Sequence, residues 1–235
     1  MSDSPDILSA LHLIVKDVLK MAQANGWIIV EDPSKKDLLG QGDCVLYIES
    51  GERKTLKSTG EDNLPPRPSD GSVRKTVASG WFDDDLGFPE FAQQPWYALR
   101  ERIGKVVTLD NSWCPASCRF LFDGLTNCEE FDLLNLDTSK SDSLCGMFRG
   151  CSSVKQLLDI DRFNTSLVTD SSYMFLNCLK LRAVSVSGWD TSHIENTEQM
   201  LAGCAAYVLA DEEQLSFLNR ITSTQSRHGV WRKMA

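Results

Sequence analysis

Histidine is scarce in this chain: three residues in 235. His12, His193 and His228 stand apart from one another and from any Ser-, Cys- or carboxylate-based motif, which argues against a catalytic triad or a histidine-built metal centre. A Gly-rich phosphate loop is also missing, so no nucleotide site is expected. Basic residues are outnumbered, 24 against 33, for a net charge of −9 and a pI near 4.9. Nucleic acid and anionic membrane need clustered Lys and Arg, so neither is an expected partner. Long apolar runs are absent too. The first apolar stretch, residues 7–24, is broken by His12, Lys16, Asp17 and Lys20. That is too polar for a signal-peptide core or a membrane span, so as given the chain reads as cytoplasmic, with no membrane insertion and no cofactor or metal expected.

Cysteine, by contrast, is plentiful, with eight residues. Cys128, Cys151, Cys178 and Cys204 follow Phe-x-Gly-type turns and occupy one recurring position. Stacked, they form a ladder of small buried plugs, more in keeping with reduced thiols than with bridges. Cys114 and Cys118 are the best candidates for a disulfide or a metal pair, but no second Cys/His pair stands at ligand spacing. Asp83-Asp84-Asp85 lacks the alternation, central Gly and terminal Glu of a calcium loop and reads as a solvated turn.

The dominant feature is a repeat. Phe131-Asp132-Leu133, Leu158-Asp159-Ile160 and Val184-Ser185-Val186 are each followed by an Asp/Asn-Thr-Ser element at Asp137, Asn164 and Asp190. Met147-Phe148, Met174-Phe175 and Met200-Leu201 then lead to the Cys. Thr138 to Met147, Thr165 to Met174 and Thr191 to Met200 are each nine residues. A fixed period of about 20–50 residues signals units that bury their apolar faces only against neighbours. The apolar-x-apolar triplets predict strands, and the Thr-Ser hydroxyls are expected to cap the turns that follow. Phe122, Cys128, Met147, Phe148, Cys151, Phe163, Met174, Phe175, Cys178, Trp189, Met200 and Cys204 are the expected core. Two irregularities are read as bulged loops: an insertion between Phe122 and Cys128, and one extra residue before Leu158.

Around the repeats, Ser4-Pro5-Asp6 predicts a helix start and Gly26 its stop. Residues 27–31 and 44–48 read as strands, with a turn at 49–52 to a third strand near 54–57. Residues 58–80, with Pro65-Pro66-Arg67-Pro68, read as linker. Ala98–Ile103 reads as one or two helical turns and residues 105–109 as a capping strand against the first repeat. A C-terminal cap helix is expected over 211–221, followed by a polar tail.

The repeat residues resemble the BspA-like leucine-rich-repeat proteins of bacterial surfaces, whose pattern runs, approximately, Phe-Asp-Thr-Ser-x-Val-Thr-Asp-Met-Ser-x-Met-Phe-x-Gly-Cys. The likeness covers residues 95–204 well and 40–94 loosely. Ser141 departs from the Val/Ile of the pattern, as Ser171 and Thr197 do from Met. The resemblance implies an α/β fold: a short leucine-rich-repeat solenoid with a parallel strand ladder, capped by an N-terminal α+β segment and a C-terminal helix. The division expected is 1–57 helix and strands, 58–94 linker, 95–128 capping module, 129–204 repeats and 205–235 cap helix and tail. It also implies a cell-surface or secreted adhesion protein.

On function, the expectation is a non-catalytic module binding a protein or glycan on an open sheet face. Asp132, Asp159 and Ser185, with Leu134, Asp161 and Ser187 beside them, are the candidate binding residues. The alternatives are an intracellular interaction or effector protein using the same repeats and, with least support, an enzyme of unknown class.

Overall fold

The computed structural model describes residues 23–32, 35, 40–52, 76–82, 88, 90, 92–108, 114–204, 207–210 and 230–233. Strand β1 (Gln23–Glu31) pairs antiparallel with β2 (Cys44–Glu52), from Gln23 opposite Glu52 to Glu31 opposite Cys44. Their period-two alternation sorts the side chains onto two faces. Trp27, Ile29, Cys44, Leu46 and Ile48 join the main core, while Val30, Val45 and Tyr47 form a small cluster on the other side. On the far side of β1 lies β3 (Thr76–Phe82), also antiparallel. Strand β4 (Ile103–Thr108) runs parallel to β2 on one side and to β5 (Glu130–Asp132) on the other. The sheet order is therefore β3-β1-β2-β4-β5.

This mixed sheet corrects the expected fold class. The repeats do not build a leucine-rich-repeat solenoid with a continuous parallel ladder under an α+β cap. Five strands of both directions form one sheet, and no α-helix occurs among the described residues. Past β5 the pairing thins to single bridges, Ser143 with Asp170, Gln156 with Ala183 and Asp170 with Asn196. The expected N-terminal helix, from Ser4 to its stop at Gly26, lies outside the described residues up to residue 22, and its last turn from Gln23 belongs to β1 instead; the third strand near 54–57 and the cap helix over 211–221 lie outside the described residues. Gly26, read as a helix stop, sits inside β1 opposite Glu49 and Trp81. Glu49–Glu52, read as a turn, continues β2. The linker reading of 58–80 fails at its end, where Thr76–Gly80 belong to β3 and Val77 and Ala78 pack on the core.

The repeat units nonetheless lie against one another. Phe122 N–H donates to Met147 O, Phe148 N–H to Met174 O and Phe175 N–H to Met200 O, each at 2.9 Å. The rings of Phe122, Phe148 and Phe175 follow at centroid spacings of 5.7 and 5.8 Å, the second pair stacked. Each unit turns through two left-handed residues. The second of these is Gly124, Gly150, Asn177 and Gly203, with φ between 62° and 75°. That conformation explains the Gly and Asn of the motif, since other side chains crowd their own carbonyl there.

Both sequence irregularities resolve differently from expectation. Leu125 takes the place held by Cys151 and Cys178, and Cys128 takes that of Val154 and Leu181: Cys128 N–H bonds Leu125 O as Leu181 N–H bonds Cys178 O, both at 3.1 Å. The first unit therefore carries no insertion. In the second unit Leu157, not Leu158, is buried with Phe131 and Val184, and Leu158 is 69% exposed. The extra residue falls after the strand position, in a 3-10 turn at Ile160–Arg162.

Beyond Cys204 the chain was expected to leave the pattern. Instead β6 (Ala183–Ser185), β7 (Tyr207–Ala210) and β8 (Val230–Lys233) form a parallel sheet in that order. The tail read as polar and frayed thus holds a strand, with Trp231 opposite Val208.

Candidate functional site

A 3-10 turn at Ile160–Arg162, inserted after the strand position, interrupts the regularity of the units. Arg162 N–H bonds Asp159 O and Phe163 N–H bonds Ile160 O, each at 3.2 Å, closing the 3-10 turn. Asp159 heads it without capping it through its side chain. The next unit clamps the turn from beneath. Trp189 Nε1–H donates to Ile160 O at 2.6 Å, and Gly188 lies so close that a Cβ there would sit 1.9 Å from Asp161 O.

Opposite the turn, the loop Leu133–Asp137 is fixed to β4. Asn135 Nδ2–H donates to Thr108 O at 3.0 Å and its backbone N–H to Thr108 Oγ1 at 3.3 Å. Asp137 Oδ1 accepts the Ser139 N–H at 2.8 Å, and that backbone hydrogen bond, offset in part by burial, holds its carboxyl below the usual range. Between loop and turn opens a cavity of about 210 Å³, lined by Leu133–Asp137, Asp159, Arg162 and Phe163. Among the described residues no ion-pair partner stands beside Asp159 or Arg162. The lining holds no His, Cys or Ser. It offers carboxylate and amide oxygens as acceptors, one guanidinium as donor and Leu134, 54% exposed, as an apolar shelf.

The six candidate binding residues do not form one row. Leu134 and Asp159 line the cavity. Asp132 is exposed on β5, where its Oδ1 accepts Leu134 N–H at 3.5 Å. Asp161 is half-buried on the inserted turn. Ser185 and Ser187 are half-buried and bond each other through their hydroxyls at 3.0 Å. The residue in register with Asp132 and Ser185 is Leu158, because the extra residue follows the strand position. Sequence reasoning missed Asp137, Arg162 and Leu158. The spacing held the signal: Phe131 to Leu136 and Val184 to Trp189 are five residues, Leu157 to Phe163 six.

The remaining repeat residues are structural. All twelve expected core side chains are buried. The Thr-Ser pairs work differently from expectation: the preceding Asx side chain caps each turn, accepting the N–H of Ser139, Ser166 and Ser192 at 2.8, 3.1 and 3.0 Å. The Thr hydroxyls instead tie units together, Thr138 to Asn164 O at 3.1 Å and Thr165 to Asp190 O at 2.9 Å. All eight cysteines are free. Among the described residues no group of three or more His, Cys, Asp or Glu is placed to hold a metal ion, and no helix is long and apolar enough to cross a membrane.

Comparison with known proteins places residues 116–215, less than half of the chain, in similarity to a family described as "Mycoplasma protein of unknown function, DUF285". A putative ABC transporter ATP-binding protein of Methanosarcina acetivorans is 28% identical over 105 residues, 43% of this chain and 20% of that protein. The chain thus spans about a fifth of that relative's length. No solved structure matches.

Proposed function

We propose that the chain is a non-catalytic binding module that takes a protein or glycan ligand at the cavity between Leu133–Asp137 and Asp159–Phe163. One observation carries the reading. Asp159 and Arg162 stand on a turn that Trp189 holds by a hydrogen bond and Gly188 approaches closely, and neither has an ion-pair partner among the described residues. Fixed, unsatisfied donors and acceptors beside an apolar shelf recognise a ligand without having to be reorganised. Glycan hydroxyls and partner amides or guanidiniums both fit that set.

Two carboxylates in a cleft, Asp137 and Asp159, are also the kind of pair that glycoside hydrolysis uses, and a hydrolase screen with the full chain tests that second reading. The ATP-binding name of the Methanosarcina acetivorans relative describes a protein of which only a fifth is matched, and this sequence holds no phosphate loop. The BspA-like motif resemblance supports adhesion at a cell surface. An intracellular interaction role uses the same cavity, and fractionation of native cells separates the two.

The test is a glycan array and an affinity capture with the full chain beside Asp159→Ala/Arg162→Ala. Ligands retained by the parent and lost by the double variant, at unchanged thermal stability, support the site. Equal retention by both removes the cavity from consideration.

A further inference from the structure

A second site stands on different residues, where the first repeat turn meets the 3-10 turn at Tyr97–Leu99. The Phe120 ring lies across the next unit at Gly146, where a Cβ would come within 2.3 Å of it. Two guanidiniums pack on that ring, Arg149 at 5.0 Å and Arg119 at 5.5 Å from its centroid. A third, Arg100, lies 4.4 Å over Tyr97. Gly124 packs beneath that pair: a Cβ there would stand 3.4 Å from Arg100 Cδ and 3.5 Å from Tyr97 Cε2, and one on Gly150 would stand 3.6 Å from Gly124 Cα.

The three arginines differ in how they are balanced. Arg149 is closed by the buried Asp123, with Nε and Nη2 donating at 2.7 and 3.0 Å. Arg100 reaches the exposed Glu101 at 3.4 Å and Tyr97 O at 3.2 Å. Arg119 has no carboxylate partner among the described residues, and its Nε–H is buried without an acceptor. A buried donor left unmade forfeits its hydration for nothing, so each instance calls for an explanation. The residue whose ring it packs on is also fixed in advance: Gln94 Nε2 donates to Phe120 O, and Phe120 N–H to Cys145 O at 2.9 Å. In a chain of net charge −9, three arginines here face two carboxylates, Asp123 and Glu101, among the described residues.

We propose that Arg119 is an oxyanion-binding site that takes a carboxylate, sulfate or phosphate group. The planar fork supplies paired donors that match such a group, including the orphaned Nε–H. Stacking on Phe120 keeps the fork in place. Arg149 stays with Asp123 and sets the floor of the site.

The experiment is NMR titration of the full chain with sodium sulfate, phosphate and acetate at ionic strength matched by sodium chloride, following the Arg119 Nε–H resonance. A saturable shift is expected with at least one of the three, weakened about tenfold or more in Arg119→Gln. Arg119→Lys, which keeps charge and stem but lacks the Nε donor and the fork, weakens binding similarly, at an unchanged unfolding midpoint. Arg162→Ala, in the other cavity, leaves the affinity unchanged. No saturable shift with any anion overturns the site. So does full affinity in Arg119→Gln, or loss of binding in Arg162→Ala instead.

Discussion

The thiol of Cys178 donates to the carbonyl oxygen of Phe148, one unit earlier, at 3.1 Å. The same bond joins Cys151 to Phe122 at 3.2 Å and Cys204 to Phe175 at 2.7 Å. These carbonyls serve two donors: Phe148 O also accepts Cys151 N–H, and Phe175 O accepts Cys178 N–H. The Cys of the motif is thus a small apolar plug and a tie between units at once. Ala fills less space and Val has no proton to give. Cys178→Ala is expected to cost about 1–2 kcal/mol, from lost contacts and the lost bond together. Denaturant unfolding measures it; a change below experimental error removes the tie from the account.

Burial sets the order in which the thiols react. Desolvation pushes Cys118 up to about 12 and raises Cys128 and Cys151 well above the usual thiol range. Thiolate is the reactive form, so these groups are inert while folded. Cys114 is the half-buried member of the set. Iodoacetamide at neutral pH is expected to label Cys114 first, with Cys118, Cys128 and Cys151 labelled only on unfolding. Mass spectrometry of the time course reads the order directly.

The sheet carries an acid-sensitive link. Arg102 donates to both oxygens of Asp43, at 3.0 and 2.6 Å. That hydrogen bond, partly opposed by burial, lowers the Asp43 pKa. A depressed folded pKa gives stability that is full above the unfolded value, near 3.9, and is lost as pH falls through the folded one. Asp43→Asn is therefore expected to destabilise at neutral pH and to lose part of the decline below about pH 4. Melting temperatures from pH 7 down to pH 2, parent beside variant, show whether the curves converge in acid.

How much of this was readable beforehand follows from what each signal depends on. Strong periodicity exposed the aromatic and Met positions, because every unit must fill the same slot beneath its neighbour. The strands at 27–31 and 44–48 were legible from β-branched and aromatic alternation. Fold class was not, because it turns on pairings between distant segments. Parallel β2 against β4 joins residues more than fifty apart, and β3 emerges from a stretch whose Ser79 and Gly80 mask its alternation. At the candidate site, the sequence pattern points to Asp159 and Leu134, and both line the cavity. A one-residue error in placing the insertion exchanged Leu158 for Asp159, as any slip in a strand must. Arg162 and Asp137 became visible only once the turn was placed correctly.

Gly188 is where the placement of that turn is open to the sharpest test. Its neighbours Val186 and Trp189 are locked in the core, and Trp189 N–H closes on Val186 O at 3.0 Å. A methyl group at 188 would stand 1.9 Å from Asp161 O and 3.0 Å from its carbonyl carbon, both backbone atoms that no rotamer change can move. The inserted turn must therefore shift outward, taking Asp159 and Arg162 with it and lengthening the Trp189–Ile160 bond. Gly188→Ala is expected to cost about 1–3 kcal/mol, the usual range for overpacking, and to weaken ligand retention as strongly as Asp159→Ala/Arg162→Ala. Trp189→Phe is the companion variant: it removes the Nε1 donor from Ile160 O without adding bulk, and its cost is expected to be about 1–2 kcal/mol. If Gly188→Ala unfolds at the parent's denaturant midpoint, the close approach of Gly188 to Asp161 is wrong. If it is destabilised yet keeps the ligand, the turn is structural and the cavity is not the binding site.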